Sequence, residues 1–259
     1  MPSVDRRLLI TGTLALLASA CSGTQPPPGP VGRRQDYGIL MADGTRIVPP
    51  PGHDTGLRWP AVVFLPATGG TSADLYRSYA AEHARRGTYV AVLPPGSNSA
   101  SDYATGERFA DLVETWDARV LATLDANGER FAIDRSQVAL AGFSMGGDLS
   151  WALSLISPQA FCGAVVMGSR CGWRSDDGLG VLAFRGYRFA LLRGDSEASA
   201  RADGMAAARR LLDANGIPAL FREVPGEHVR APPDTFATAL DFVLGETPVA
   251  ALSRPSARS

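Results

Sequence analysis

Gly142-Phe143-Ser144-Met145-Gly146 sets a serine hydroxyl between two glycines, one on each side at a spacing of two. A serine in that setting can occupy a sharp turn with its Oγ bare, because neither glycine carries a side chain to obstruct the returning backbone. Such a hydroxyl becomes a nucleophile when a neighbouring base takes its proton. The preceding Val138-Ala139-Leu140-Ala141 is apolar and reads as the end of a strand spanning Gln137 to Gly142. The following Gly146 to Leu155 reads as a helix. A helix that begins at the serine favours developing negative charge there.

A base is sought next among the three histidines. His53 lies in a Pro/Gly-rich stretch ahead of the main alternating pattern. His83 falls among charged residues of an expected helix and reads as a solvated surface histidine. His228 follows an expected strand, Ala219 to Val224, in the loop Pro225-Gly226-Glu227-His228 just before a closing helix. A base in that loop can reach back over the end of a sheet, so His228 is the candidate.

The elements that must position these groups alternate from Trp59 onward. Strands are expected at Ala61–Leu65, Tyr89–Leu93, Gln137–Gly142, Gly163–Gly168, Phe189–Leu192 and Ala219–Val224. Helices are expected at Ser72–Arg86, Glu107–Leu124, Gly146–Leu155, Ala202–Leu212 and Pro233–Leu244. The Glu107–Leu124 helix carries an apolar stripe of Leu112, Trp116, Val120 and Leu124. Repeated alternation implies an α/β fold with a mostly parallel central sheet covered by helices on both faces. The segments Gly96–Thr105 and Arg170–Arg188 read as loops. Their Tyr103, Trp173, Phe184 and Tyr187 suggest an apolar or aromatic substrate group.

Leu65-Pro66-Ala67-Thr68-Gly69-Gly70, the Ser144 turn and Val224-Pro225-Gly226-Glu227-His228 together resemble the dienelactone-hydrolase-like branch of the α/β-hydrolases. The resemblance runs from about Trp59 to Leu244. It implies an α/β-hydrolase fold and a carboxylesterase working through an acyl-enzyme on Ser144, with no cofactor and no metal. The first loop of that family often reads His-Gly-x-Gly-Gly, whereas here it is Pro66-Ala67-Thr68-Gly69-Gly70. The resemblance places the oxyanion donors at Met145 and Thr68. It also implies a carboxylate to orient the imidazole, usually an Asp in a Gly-x-x-Asp turn. Here that turn reads Arg193-Gly194-Asp195-Ser196-Glu197. Spacing from Gly194 selects Glu197 and residue type selects Asp195. Glu197 is preferred, Asp195 is its alternative, and Asp203 is a more distant candidate. Arg193-Gly194-Asp195 is also the tripeptide read by adhesion receptors, but it sits where this fold places its acid turn. Two other functions remain compatible with these residues: a catalytically silent binding lipoprotein of the same fold, and an acyltransferase using the same triad.

The first 20 residues read as a signal peptide: Arg6 and Arg7 precede an uncharged apolar run, Leu8 to Ala18, too short to span a bilayer. Ala18-Ser19-Ala20-Cys21 resembles a bacterial lipobox, with Ala18 at the usual leucine position, and implies a lipid on Cys21. Arg6-Arg7-Leu8-Leu9-Ile10 resembles a twin-arginine signal, so either export route is open. Residues 21–36 contain Pro26-Pro27-Pro28-Gly29-Pro30 and read as an extended tether, 37–248 as the hydrolase domain and 249–259 as a flexible tail. The expected placement is therefore outside the cytoplasm, on the cell-envelope membrane. Cys162 and Cys171 flank an expected strand, which argues against a bridge between them. A net charge of −1 argues against a nucleic-acid binder, which needs a basic face to neutralise phosphates. All 25 basic residues are arginine, which excludes Schiff-base and phosphate-loop lysine chemistry.

Overall fold

The computed structural model describes residues 37–53 and 56–245. The Cys21 lipobox, the apolar leader, the tether and the tail lie outside these residues. The elements in chain order are β1 (Ile39–Leu40), β2 (Arg46–Val48), β3 (Trp59–Leu65), α1 (Ser72–Tyr76), α2 (Ala80–Arg86), β4 (Val90–Leu93), α3 (Gly106–Asn127), β5 (Ile133–Phe143), α4 (Met145–Ile156), β6 (Gly163–Met167), α5 (Asp176–Arg185), β7 (Arg188–Gly194), α6 (Ser199–Ala214), β8 (Ala219–Val224) and α7 (Pro233–Leu244).

The eight strands form one sheet in the order β1-β2-β4-β3-β5-β6-β7-β8. From β4 to β8 every pairing is parallel, and β1 and β2 add an antiparallel edge. Alternation along β3 shows how the sheet is covered. Ala61, Val63 and Leu65 face a core shared with Trp116 and Val120 of α3, Leu149 of α4, Leu182 of α5 and Met205 of α6. Val62 and Phe64 face the opposite core, with Leu75 and Tyr76 of α1 and Phe236 and Leu240 of α7. The chain runs from β3 outward to β4, then returns to the other side of β3 as β5. That reversal makes the carboxyl ends of β3 and β5 a topological switch point, the usual ligand position in such sheets.

Several elements depart from the sequence reading. The helix expected over Ser72–Arg86 is two helices, because Tyr79 leaves helical geometry (φ −121°, ψ 0°). The break lets the Tyr79 ring stack on Phe236, with centroids 3.8 Å apart, while its hydroxyl donates to the Ala231 carbonyl at 3.2 Å. The loop expected over Arg170–Arg188 contains α5, capped by the Ser175 side chain at Gly178 N–H. Tyr187 is buried in the core against Phe189 and Ser154, and Phe184 is 90% exposed. Neither side chain bears out the expectation of a pocket wall. The expected stripe of α3 packs on the core, Trp116, Val120 and Leu124 buried and Leu112 half-buried, and Val113 is buried beside them. Cys162 and Cys171 are free thiols, with β6 between them.

His83 is the clearest correction. It is 2% exposed, stacked on the Tyr89 ring with centroids 4.3 Å apart and edge-on to Tyr76. A Tyr76 hydroxyl sits 2.7 Å from its Nδ1 and the Tyr89 carbonyl 2.7 Å from its Nε2. A carbonyl only accepts, so Nε2 carries the proton and Nδ1 accepts from Tyr76, which makes a neutral ring. Burial holds its pKa below the ordinary histidine value. The unfolded chain therefore takes up a proton near pH 6.5 that the folded chain refuses until a lower pH. The expected outcome is a stability loss as pH falls through that window. Thermal melts between pH 7.5 and 5 should show a smaller acid-side slope in His83→Gln than in the wild type.

Candidate active site

Ser144 sits where β5 ends and α4 begins, with φ 57° and ψ −122°. Non-glycine residues rarely hold a positive φ, and here the surroundings enforce it. A Cβ on Gly142 would lie 1.9 Å from the Gly146 carbonyl oxygen, and one on Gly146 would lie 2.3 Å from the Leu65 carbonyl oxygen. The strand end, the helix start and the end of β3 thus touch backbone to backbone. Ser144 N–H donates to the Met167 carbonyl at 2.9 Å, and Asp148 N–H donates to the Ser144 carbonyl at 3.0 Å, opening the helix.

His228 arrives from the loop after β8. Its Nε2 lies 3.0 Å from Ser144 Oγ and its Nδ1 lies 3.0 Å from Glu197 Oε2. An ionised carboxylate only accepts, so Nδ1 is the protonated nitrogen and Nε2 is left free to accept from the serine hydroxyl. The Glu197 side chain is 0% exposed and that of His228 is 28% exposed. The Phe143 ring packs beside the imidazole at 4.6 Å between centroids. Behind Glu197, Arg201 Nη1 approaches Oε1 at 3.5 Å. That oxygen has no other polar partner.

Asp195 has a different position. Its Oδ1 accepts the Gly226 N–H at 3.0 Å and the Ser196 hydroxyl at 2.9 Å. These bonds, the Gly226 one first, hold its carboxyl below the usual carboxylate range. It ties the acid turn to the loop that carries His228, while Glu197 is the carboxylate at the imidazole. The two backbones meet closely, since a Cβ on Gly194 would lie 2.0 Å from the Glu227 carbonyl oxygen. Arg193 of the same tripeptide is paired with Glu223 on β8. Asp203 is exposed on α6, and His53 bonds the Phe131 carbonyl near the start of β5, at the opposite end of that strand from Ser144.

Thr68 lies in the loop after β3 and Met145 begins α4. Neither N–H donates to another described residue. Each follows the carboxyl end of one of two neighbouring parallel strands, Thr68 after β3 and Met145 after β5.

Sequence reading missed two charged residues around this arrangement. Arg201 stands four residues after Glu197, an i,i+4 spacing that could have flagged it. Asp148 carried no such signal. It is buried, and its Oδ1 accepts the Ser169 hydroxyl at 2.6 Å and the Arg170 N–H at 2.7 Å. Its Oδ2 accepts the Tyr103 hydroxyl. One carboxylate on α4 thereby fastens the segment after β6 and the turn at Ala100–Tyr103 to the helix that follows Ser144. The Arg170 guanidinium covers the Tyr103 ring at 4.6 Å. No group of three or more histidine, cysteine, aspartate or glutamate side chains suited to a metal ion occurs among the described residues.

This framework has solved counterparts. A carboxylesterase from Mesorhizobium loti is similar over 82% of this chain and 100% of its own, at 16% identity and a TM-score of 0.60. The Bacillus cereus carboxylesterase is similar over 76% of this chain and 92% of its own, at 14% identity and a TM-score of 0.57. FphF, a fluorophosphonate-binding serine hydrolase of Staphylococcus aureus, is similar over 80% of this chain and 96% of its own, at 14% identity and a TM-score of 0.56. The fold is that of the α/β-hydrolases. At these identities the likeness establishes architecture. No protein-family model matches the chain, and no curated protein matches it.

Asp148 offers a direct stability test. Asp148→Leu strands the Ser169, Arg170 and Tyr103 donors, and each unsatisfied buried group costs about 1–3 kcal/mol. Urea unfolding should show a loss of about 3 kcal/mol or more. Asp148→Asn keeps an acceptor for Ser169 and Arg170 and should lose much less.

Proposed function

We propose that this chain is a serine hydrolase that cleaves carboxylic esters through an acyl-enzyme on Ser144. The observation that carries the reading is the continuous relay Ser144 Oγ–His228 Nε2 and His228 Nδ1–Glu197 Oε2, each link 3.0 Å, mounted on a strained strand-to-helix turn. In the proposed reaction His228 Nε2 takes the hydroxyl proton as Oγ attacks the ester carbonyl carbon. Buried Glu197 stabilises the imidazolium that forms. The carbonyl oxygen, now negative, accepts from the Met145 and Thr68 N–H groups. Collapse of the intermediate releases the alcohol with the proton from His228. A water molecule then repeats the sequence and frees the acid. The esterases and the fluorophosphonate-binding hydrolase among the structural counterparts support this choice of reaction. We further propose that the chain is exported and anchored to the cell envelope by a lipid on Cys21, the proline-rich 21–36 segment holding the domain off the membrane.

A fluorophosphonate probe and p-nitrophenyl esters test the chemistry. Wild type should be labelled and should turn esters over, and Ser144→Ala should lose labelling and several orders of magnitude of kcat. Glu197→Gln should lower kcat by roughly 10³-fold or more, with Asp195→Asn much milder. A Ser144→Ala variant retaining a tenth of wild-type turnover refutes the assignment. Membrane attachment is checked separately by fractionation. Cys21→Ser should move the exported protein to the soluble fraction with its esterase activity intact.

A further inference from the structure

We infer that Asn98 is a positioning residue for the oxyanion hole, holding the Thr68 N–H in register with the Met145 N–H; this rests on the esterase reading above. The segment Pro66–Gly70 needs an external anchor. Pro66 stands where the resembled family often has histidine, and proline contributes no N–H donor and no polar side chain. Internally the turn is closed by one bond, from Gly70 N–H to the Ala67 carbonyl at 3.1 Å. Gly69 holds a φ of +72°, so the chain reverses sharply just after Thr68.

Asn98, in the segment after β4, supplies what the loop lacks. It is 3% exposed. Its Nδ2 donates to the Pro66 carbonyl at 2.7 Å, and its own backbone carbonyl accepts the Gly69 N–H at 2.8 Å. Its Oδ1 accepts Trp116 Nε1–H at 2.7 Å, from the buried face of α3. The indole nitrogen only donates, so Oδ1 must face it and Nδ2 must face Pro66. The amide orientation is thus determined by chemistry. One residue thus holds the Pro66–Ala67 peptide ahead of Thr68 and the Thr68–Gly69 peptide just after it, and an isolated bridge pairs Thr68 with Asn98 itself. The next bridge, Thr71 with Ser97, pins the loop's exit.

The start of the loop also abuts the nucleophile turn. A Cβ on Gly146 would lie 2.3 Å from the Leu65 carbonyl oxygen and 3.0 Å from that of Pro66. The Pro66 carbonyl held by Asn98 is therefore packed against the first turn of α4, the turn that carries Met145. Losing the Nδ2 donor frees that carbonyl to rotate, and the peptides that lead to Thr68 rotate with it. Oxyanion donors act mainly on the transition state, so a misplaced donor lowers kcat and leaves KM nearly unchanged.

The test compares wild type, Asn98→Leu and Asn98→Asp in the full chain, assayed well below each melting temperature. Asn98→Asp keeps an acceptor for Trp116 and loses the donor to Pro66, which preserves the link to α3 if the leucine variant fails to fold. The readouts are kcat and KM on a p-nitrophenyl ester, inhibition by a trifluoromethyl ketone, whose hemiketal oxyanion uses the same donors, and the fluorophosphonate labelling rate. The expected result is a kcat lowered about 10- to 100-fold with KM within about threefold. Trifluoromethyl ketone affinity and labelling rate should fall by factors similar to that in kcat. Folded variants with wild-type kcat and ketone affinity, or with the whole loss in KM, overturn the inference. A wild-type chain that takes no probe and cleaves no ester refutes the esterase reading itself.

Discussion

The reversal of the chain at Ser144 constrains everything around it. A strand at the middle of the sheet passes into a helix with a single residue between, and that residue takes a positive φ. Strain of this kind costs on the order of 1–3 kcal/mol and survives only when neighbours over-determine it. Here the neighbours are backbone. Gly142 meets the Gly146 carbonyl, Gly146 meets that of Leu65, and a Cβ on Gly147 would lie 2.6 Å from that of Met167. Three adjacent strand ends therefore close on the turn. A side chain at Gly142 would have to push α4, and one at Gly146 or Gly147 a neighbouring strand, which the tightly filled cores on both faces resist.

Around that rigid point two buried carboxylates divide the work of organisation. Glu197 faces the imidazole, with Arg201 at its second oxygen. Asp148 binds two loops to α4 and makes no bond to Ser144 or His228 through its side chain. Their burial is tolerable because each is surrounded by donors or an opposite charge, the usual condition for a carboxylate removed from water. Asp195 remains in contact with solvent and with the Gly226 N–H, so it braces the turn. Three acids within one site thus have separate surroundings, and these follow from which loops the sheet brings side by side.

Much of this was legible in the chain itself. The strand–serine–helix signature around residue 144 and the histidine before the last helix rest on local patterns: a run of small apolar residues, spaced glycines, and a change of period from strand to helix. The parallel α/β architecture follows from repeated alternation, and the boundaries of β8 and α7 read from sequence agree with the structure. The departures have physical causes. Arg170–Arg188 reads as a loop in sequence, yet Leu179 and Leu182 bury against α4 as part of α5. Its glycines and paired aspartates masked a short amphipathic helix whose stability comes from packing. His83 reads as a surface residue beside Glu82 and Arg85, yet the break at Tyr79 turns it inward to Tyr76 and Tyr89.

Residue type and spacing by themselves determined which side chains could do chemistry: a serine in a glycine-flanked turn, a histidine in a post-strand loop, and two carboxylates two residues apart. They could not decide between those carboxylates, because a separation along the turn says nothing about which side chain meets an imidazole contributed by a loop 31 residues away. That choice belongs to the pairing of β7 with β8, which sets the acid turn against the histidine loop. The roles of Asn98 and Asp148 were likewise invisible. Each acts by hydrogen bonds to segments remote in sequence, and such bonds exist only once the sheet has brought those segments together.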